Sequence, residues 1–145
     1  MVEILATGVF DVLHSEHVRF LQKAKALGDR LIVGIESDVR VRALKGEGRP
    51  INTQRLRKEN LEKLAIADEV FVLPEAFNSD ADFRALLQKR QPDILAVSSH
   101  TPHLDKKQQL MQEIGGRVEI VHQHNPAVST TLILSNKGAA SNGKS

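Results

Sequence analysis

Cysteine is absent from the 145-residue chain, and so are tryptophan and tyrosine. Without cysteine there are no disulfides and no thiolate chemistry, and the composition fits a reducing compartment. Phenylalanine occurs five times, too little aromatic surface for stacking nucleic-acid bases. Charge of one sign is also missing: 20 Lys and Arg against 18 Asp and Glu leave +2, no footprint for DNA or RNA. No apolar run approaches the length of a membrane span. The opening Met1-Val2-Glu3-Ile4-Leu5 lacks the basic stretch and the length of a signal peptide. These absences lead us to expect a cytoplasmic protein with neither nucleic acid nor membrane as partner. What is present, 41% hydrophobic and 26% charged residues, suits one soluble domain with its own core.

Apolar runs alternate with helical patterns along the chain. Val2 to Leu5 reads as a buried strand, and Val18, Leu21, Ala24 and Leu27 follow at helical spacing. Gly28-Asp29 stops that helix. Arg30 to Ile35 is a second strand, continuously apolar as an internal parallel strand is. Ser37-Asp38 can cap a short helix. Lys45-Gly46-Glu47-Gly48-Arg49-Pro50 reads as a surface loop. Asn52 or Thr53 can cap the next helix, with Leu61, Leu64 and Ala65 on its buried face. Strands follow at Glu69 to Leu73, Asp93 to Val97 and Arg117 to Val121. Between them lie a helix opened by Ser79 and Asp82 and another from Leu104 to Ile114. His122 to Val128 reads as a loop, and Ser129 as the cap of a short terminal helix. The small polar segment 137–145 is expected to be a disordered tail, leaving 1–136 as the domain. The alternation implies right-handed β-α-β units and a parallel sheet with helices on both faces.

The chain is organised around Ala6-Thr7-Gly8-Val9-Phe10-Asp11-Val12-Leu13-His14-Ser15-Glu16-His17. A turn between a first strand and a first helix is where a doubly wound sheet receives phosphate, because backbone N–H groups and the helix dipole meet there. Gly8 allows close approach. His14 and His17, three residues apart, share one helix face. Each histidine alone has two readings, a helix cap that fills space or a phosphate contact. The pair directly after Thr-Gly-x-Phe-Asp favours the site. Phe10 reads as core through its ring, and Asp11 as an acceptor that holds the turn, with a metal role the weaker alternative. Ser129-Thr130-Thr131 places hydroxyls and open N–H groups at a helix start, which suits a β- or γ-phosphate.

Thr7-Gly8-Val9-Phe10-Asp11-Val12-Leu13-His14-Ser15-Glu16-His17 resembles the T-G-x-F-D-x-x-H-x-G-H pattern of the nucleotidyltransferase superfamily, and Ser129-Thr130-Thr131 resembles the end of its second signature. Gly28 to Val33, Lys45-Gly46 and Arg49-Pro50-Ile51-Asn52 are most similar to the adenylyltransferase domain of heptose-phosphate enzymes of lipopolysaccharide synthesis. Glycerol-3-phosphate cytidylyltransferases come second and FAD synthetases third. The resemblance implies a Rossmann-like doubly wound five-stranded sheet of order 3-2-1-4-5. It implies transfer of AMP, or CMP, from a nucleoside triphosphate to a phosphorylated small molecule such as a sugar phosphate, with loss of pyrophosphate. His14, His17 and Lys45 would be catalytic. Thr7, Gly8, Val9, Phe10, Ser129 and Thr130 would bind the nucleotide alongside the histidines. Asp11, Asp38 and Arg57 would form the acceptor side, Arg57 facing the acceptor phosphate. Mg²⁺ would arrive on the triphosphate, and the protein would be a homodimer.

Three positions depart from the family. Glu16 stands where the pattern has Gly, so that it points to solvent, contacts ribose, recruits Mg²⁺ or repels phosphate. Ser98-Ser99-His100 replaces a Gly-Gly-Asp or Gly-Asp-Asp turn. His124 falls where an arginine is expected, and a neutral histidine does not replace a bidentate cation. His100, His103, His122 and His124 read as solvated or phosphate-facing rather than as a metal site. A nucleotide-binding module that has lost catalysis is the competing reading.

Overall fold

A computed structural model describes residues 1–122. Ser129, Thr130, Thr131, His124 and the segment 137–145 lie outside the described residues, as does the expected terminal helix. In chain order the elements are β1 (Glu3–Gly8), α1 (Ser15–Lys25), β2 (Arg30–Ile35), α2 (Asp38–Lys45), α3 (Gln54–Leu64), β3 (Glu69–Val72), α4 (Asp80–Arg90), β4 (Ile94–Ser98), α5 (Leu104–Glu113) and β5 (Arg117–His122). The strands form one parallel sheet of order β3-β2-β1-β4-β5, the order implied by the sequence resemblance.

Alternating side chains of the inner strands build two cores. Ile4, Ala6, Leu31, Val33 and Ile35 meet Phe10, Leu21, Ala24 and Leu61, so that α1 and α3 cover one face. Leu5, Ile32, Leu95 and Val97 meet Leu86, Leu87, Leu110 and Met111, so that α4 and α5 cover the other. Burial on both faces is why β1 and β2 read as unbroken apolar runs. Each fully buried aliphatic side chain contributes roughly 1.5–3 kcal/mol over its exposed form. Gly34 is fixed by packing, because a Cβ there would come within 2.9 Å of the Leu73 and Phe71 side chains.

The helix starts follow the expected chemistry. Ser37 caps α2, Thr53 caps α3, and Ser79 with Asp82 forms a reciprocal capping box on α4. Two local expectations are corrected. Ala65 does not lie on the buried face of α3: it closes the helix in the left-handed region at φ 57° and is exposed. Lys45 is the last residue of α2 and half-buried, and the loop begins at Gly46, whose φ of 91° breaks the helix. His103 caps α5 through its backbone at φ 55° without a side-chain bond.

Candidate active site

At the carboxyl end of the sheet, β1 runs beside β2 and β4, and the chain leaves β1 through a tight turn. Phe10 takes φ 51° with its ring buried at 2% exposure, a left-handed conformation that an L residue holds only under constraint. The constraint comes from Asp11. Its carboxylate accepts from Ile51 N at 2.7 Å, Asn52 N at 2.8 Å and Arg49 Nε at 3.2 Å. Asn52 Nδ2 returns a bond to the Asp11 carbonyl at 2.7 Å. Asp11 therefore clasps the β1–α1 turn to the α2–α3 loop, the turn-holding role read from the sequence. Both carboxylate oxygens accept in this clasp.

Past the clasp, His14 is the N-cap of α1 in extended geometry. Its Nδ1 accepts from Glu16 N at 3.2 Å, and His17 Nδ1 accepts from His14 N at 3.3 Å. The two histidines make a capping box of the kind usually built from Ser or Thr with Glu. Their rings stack at 3.9 Å between centroids with a 24° interplanar angle, and Phe10 lies 5.4 Å from His17. Because each Nδ1 accepts a backbone N–H, each neutral ring carries its proton on Nε2. Two imidazole donors are thereby fixed side by side at a helix N-terminus. His14 Nε2 is buried without a hydrogen-bond partner among the described residues, which an acceptor oxygen from a ligand would satisfy. For His14 the cap and phosphate readings are thus compatible: Nδ1 caps, and Nε2 is left for a ligand.

Burial lowers the pKa of His14, against an opposing pull from Glu16. Burial, and then the neighbouring His14, lowers His17 to about 3 from 6.5. Both rings are therefore neutral donors at pH 7. For His17 the unfolded chain binds a proton between these values that the folded chain does not. Stability is complete above the unfolded value and falls as pH falls through the window. At about pH 5 the loss attributable to His17 is about 2 kcal/mol. Urea titrations of His17→Gln at about pH 7.5 and 5 are expected to show a smaller pH difference than the wild type, and an equal difference would contradict this assignment.

Arg57 corrects an expectation. Its side chain is 0% exposed. Nε donates to Asn52 O at 3.1 Å, Nη1 to Val9 O at 2.9 Å and Glu36 O at 2.8 Å, and Nη2 to Asp38 Oδ1 at 2.8 Å. A guanidinium spent this way is a strut under the turn and does not face an acceptor phosphate. Asp38 is held in the same pair, and the carbonyl of Val9 is occupied as well. Glu16 is not turned to solvent: it is 8% exposed and pairs with Arg19 at 3.7 Å. Thr7 and Gly8 end β1 at the site, and Lys45 is the last residue of α2. The clasp roles of Arg49 and Asn52 and the backbone role of Glu36 were not read from the sequence. The signal for the first two was an aspartate in a turn, which needs donors from elsewhere in the chain.

The model of the cytidylyltransferase-like family matches residues 5–138. The chain belongs to the cytidylyltransferase-like family. Membership bears out the nucleotidyltransferase reading made from Thr7 to His17. Among curated relatives of this cytidylyltransferase-like chain, the bifunctional protein HldE of Syntrophotalea carbinolica is 36% identical over 131 residues, which are 90% of this chain and 26% of that protein. The bifunctional protein HldE of Wolinella succinogenes is 47% identical over 92 residues, 63% of this chain and 18% of that protein. The chain thus spans about a quarter or less of the length of these relatives. A lipopolysaccharide core biosynthesis protein from Thermoplasma volcanium superposes with a TM-score of 0.66 at 25% identity, over 86% of this chain and 97% of that one. Pantoate-beta-alanine ligase from Francisella tularensis shares the fold, with a TM-score of 0.64 at 17% identity over 87% of this chain and 61% of that one.

Proposed function

We propose that the protein transfers AMP from ATP to a sugar phosphate of the heptose 1-phosphate type. A phosphate oxygen of the acceptor attacks the α-phosphorus, the bond to the bridging oxygen breaks, and pyrophosphate leaves with that oxygen. No protein nucleophile is needed, since positioning and electrostatics carry such a transfer. The unpartnered Nε2 of His14, fixed as a donor beside His17, carries this reading: two neutral donors at a helix start match charge developing on phosphoryl oxygens. Relatives named HldE and a neighbour named for lipopolysaccharide core biosynthesis support the acceptor class. Mg²⁺ belongs to the triphosphate in this reading, where it neutralises phosphate charge. Lys45, Ser129 and Thr130 complete the phosphate contacts, and the protein works in the cytoplasm as a homodimer. Among the described residues no helix is long and apolar enough to cross a membrane.

The test compares thermal unfolding with ATP, CTP, GTP and UTP, each with Mg²⁺, followed by pyrophosphate release with heptose 1-phosphate, mannose 1-phosphate and glycerol 3-phosphate. Selective stabilisation by ATP, about 2.7 kcal/mol at 100 times the dissociation constant, together with release on adding a sugar phosphate, is the expected result. Selective stabilisation by CTP would replace AMP with CMP as the group transferred. Stabilisation with no pyrophosphate from any acceptor would make the protein a nucleotide-binding module.

A further inference from the structure

Glu36 follows β2 directly, at the carboxyl end of the sheet. Its N–H donates to Gly8 O at 3.0 Å and its carbonyl accepts from Arg57. It is therefore pinned to the turn that leads to His14. Its side chain is half-buried, and Oε1 is buried with no hydrogen-bond partner among the described residues. Neither the fold nor the phosphate chemistry above uses this carboxylate.

We infer that Glu36 is a specificity residue that accepts hydrogen bonds from hydroxyl groups of the acceptor's polyhydroxylated part; this inference rests on the transfer reading above. Three observations select that ligand class. Arg40, Arg57 and Lys107 all bear on the Glu36 charge, so an added cation would enter a positive surrounding. Each has a bond elsewhere: Arg40 Nε to Phe77 O at 2.8 Å, Arg57 as described, and Lys107 Nζ to Thr101 Oγ1 at 2.5 Å. A phosphate would meet a carboxylate and be repelled. A neutral donor remains, and a sugar phosphate supplies several. The terminal carboxylate torsion is soft, so Oε1 reaches such a donor by rotation within the side chain. Lys107 and Thr101 come from α5 and the loop before it. Glu36 thus stands where β1, β2 and the β4–α5 connection meet, the crevice in which an open α/β sheet binds its ligand.

Burial raises the Glu36 pKa against the pull of Arg40, Arg57 and Lys107. The ionised carboxylate is therefore a cost to the fold. Groups held at such a cost gather at functional sites. A residue kept only for structure would destabilise the fold when neutralised.

The experiment uses Glu36→Gln and Glu36→Leu in the full chain. Melting temperature, KM for ATP and kcat/KM for mannose 1-phosphate and its monodeoxy analogues are measured. Glu36→Gln is expected to melt at or a few degrees above the wild type. In both variants kcat/KM for mannose 1-phosphate falls about 10- to 100-fold with KM for ATP unchanged. The wild type discriminates against at least one deoxy analogue, and the variants do not. Variants that retain the wild-type preference, or that lose ATP affinity equally, overturn the inference. If the wild type releases no pyrophosphate with any acceptor, the transfer reading fails by itself. Calorimetric titration of mannose 1-phosphate into protein holding a non-cleavable ATP analogue then decides Glu36. Binding by wild type that both variants lose supports it; equal binding, or none by wild type, overturns it.

Discussion

Turnover in His14→Ala and in His17→Ala is expected to fall by about 10²–10³-fold each, the usual effect of deleting one fixed donor to a developing anion. Alanine removes two things at once, because Nδ1 of each ring caps α1 and Nε2 carries the donor proton. Loss of a cap costs about 1 kcal/mol. The pair His14→Ser with His17→Gln separates the two effects, since Ser-x-x-Gln is itself a capping box. That double variant should unfold within about 1 kcal/mol of the wild type in urea while its pyrophosphate release is as low as in the alanine variants. A capped, folded double variant with near-normal turnover would remove the histidines from the chemistry.

Arg57→Met is expected to destabilise the protein by about 3–5 kcal/mol, the largest stability effect among the site residues. The change leaves the carbonyls of Val9, Glu36 and Asn52 without their donor and strands the Asp38 carboxylate. Methionine fills much of the volume, so lost hydrogen bonding accounts for the difference. Arg57→Lys should recover only a small part, because one ammonium cannot reach four acceptors spread around a planar fork. Equilibrium unfolding in urea measures both. A loss below about 1 kcal/mol in Arg57→Met would mean that the carbonyls find other donors and that the strut is dispensable.

The sheet was legible because inner parallel strands must be apolar on both faces, and Leu31, Ile32 and Val33 leave no other reading. The histidine pair was legible through its spacing from the first strand and the Gly-containing turn. Arg57 was misread for a reason of scale. Sequence shows a cation among Arg55 and Lys58 on one helix, but not which of them turns inward, and that depends on carbonyls supplied by Val9 and Glu36 from distant parts of the chain. Lys45 and Ala65 were misplaced by one residue or one face, at helix ends where Gly46 and a left-handed φ decide the boundary. Glu36 was passed over because a single polar residue after an apolar strand looks like an ordinary strand end. Only its orphaned oxygen, a three-dimensional fact, sets it apart.

The double duty proposed for the two histidines changes what selection acts upon. A random substitution at either position lowers folding stability before any substrate is considered, because the first turn of α1 loses its cap. Purifying pressure for a folded helix therefore holds in place the residues that the proposed transfer would use. Drift that could erode a free-standing catalytic pair is resisted here by the helix itself. A descendant relieved of its reaction would shed these histidines slowly, and one that regained a use for phosphate would find the donors already in position.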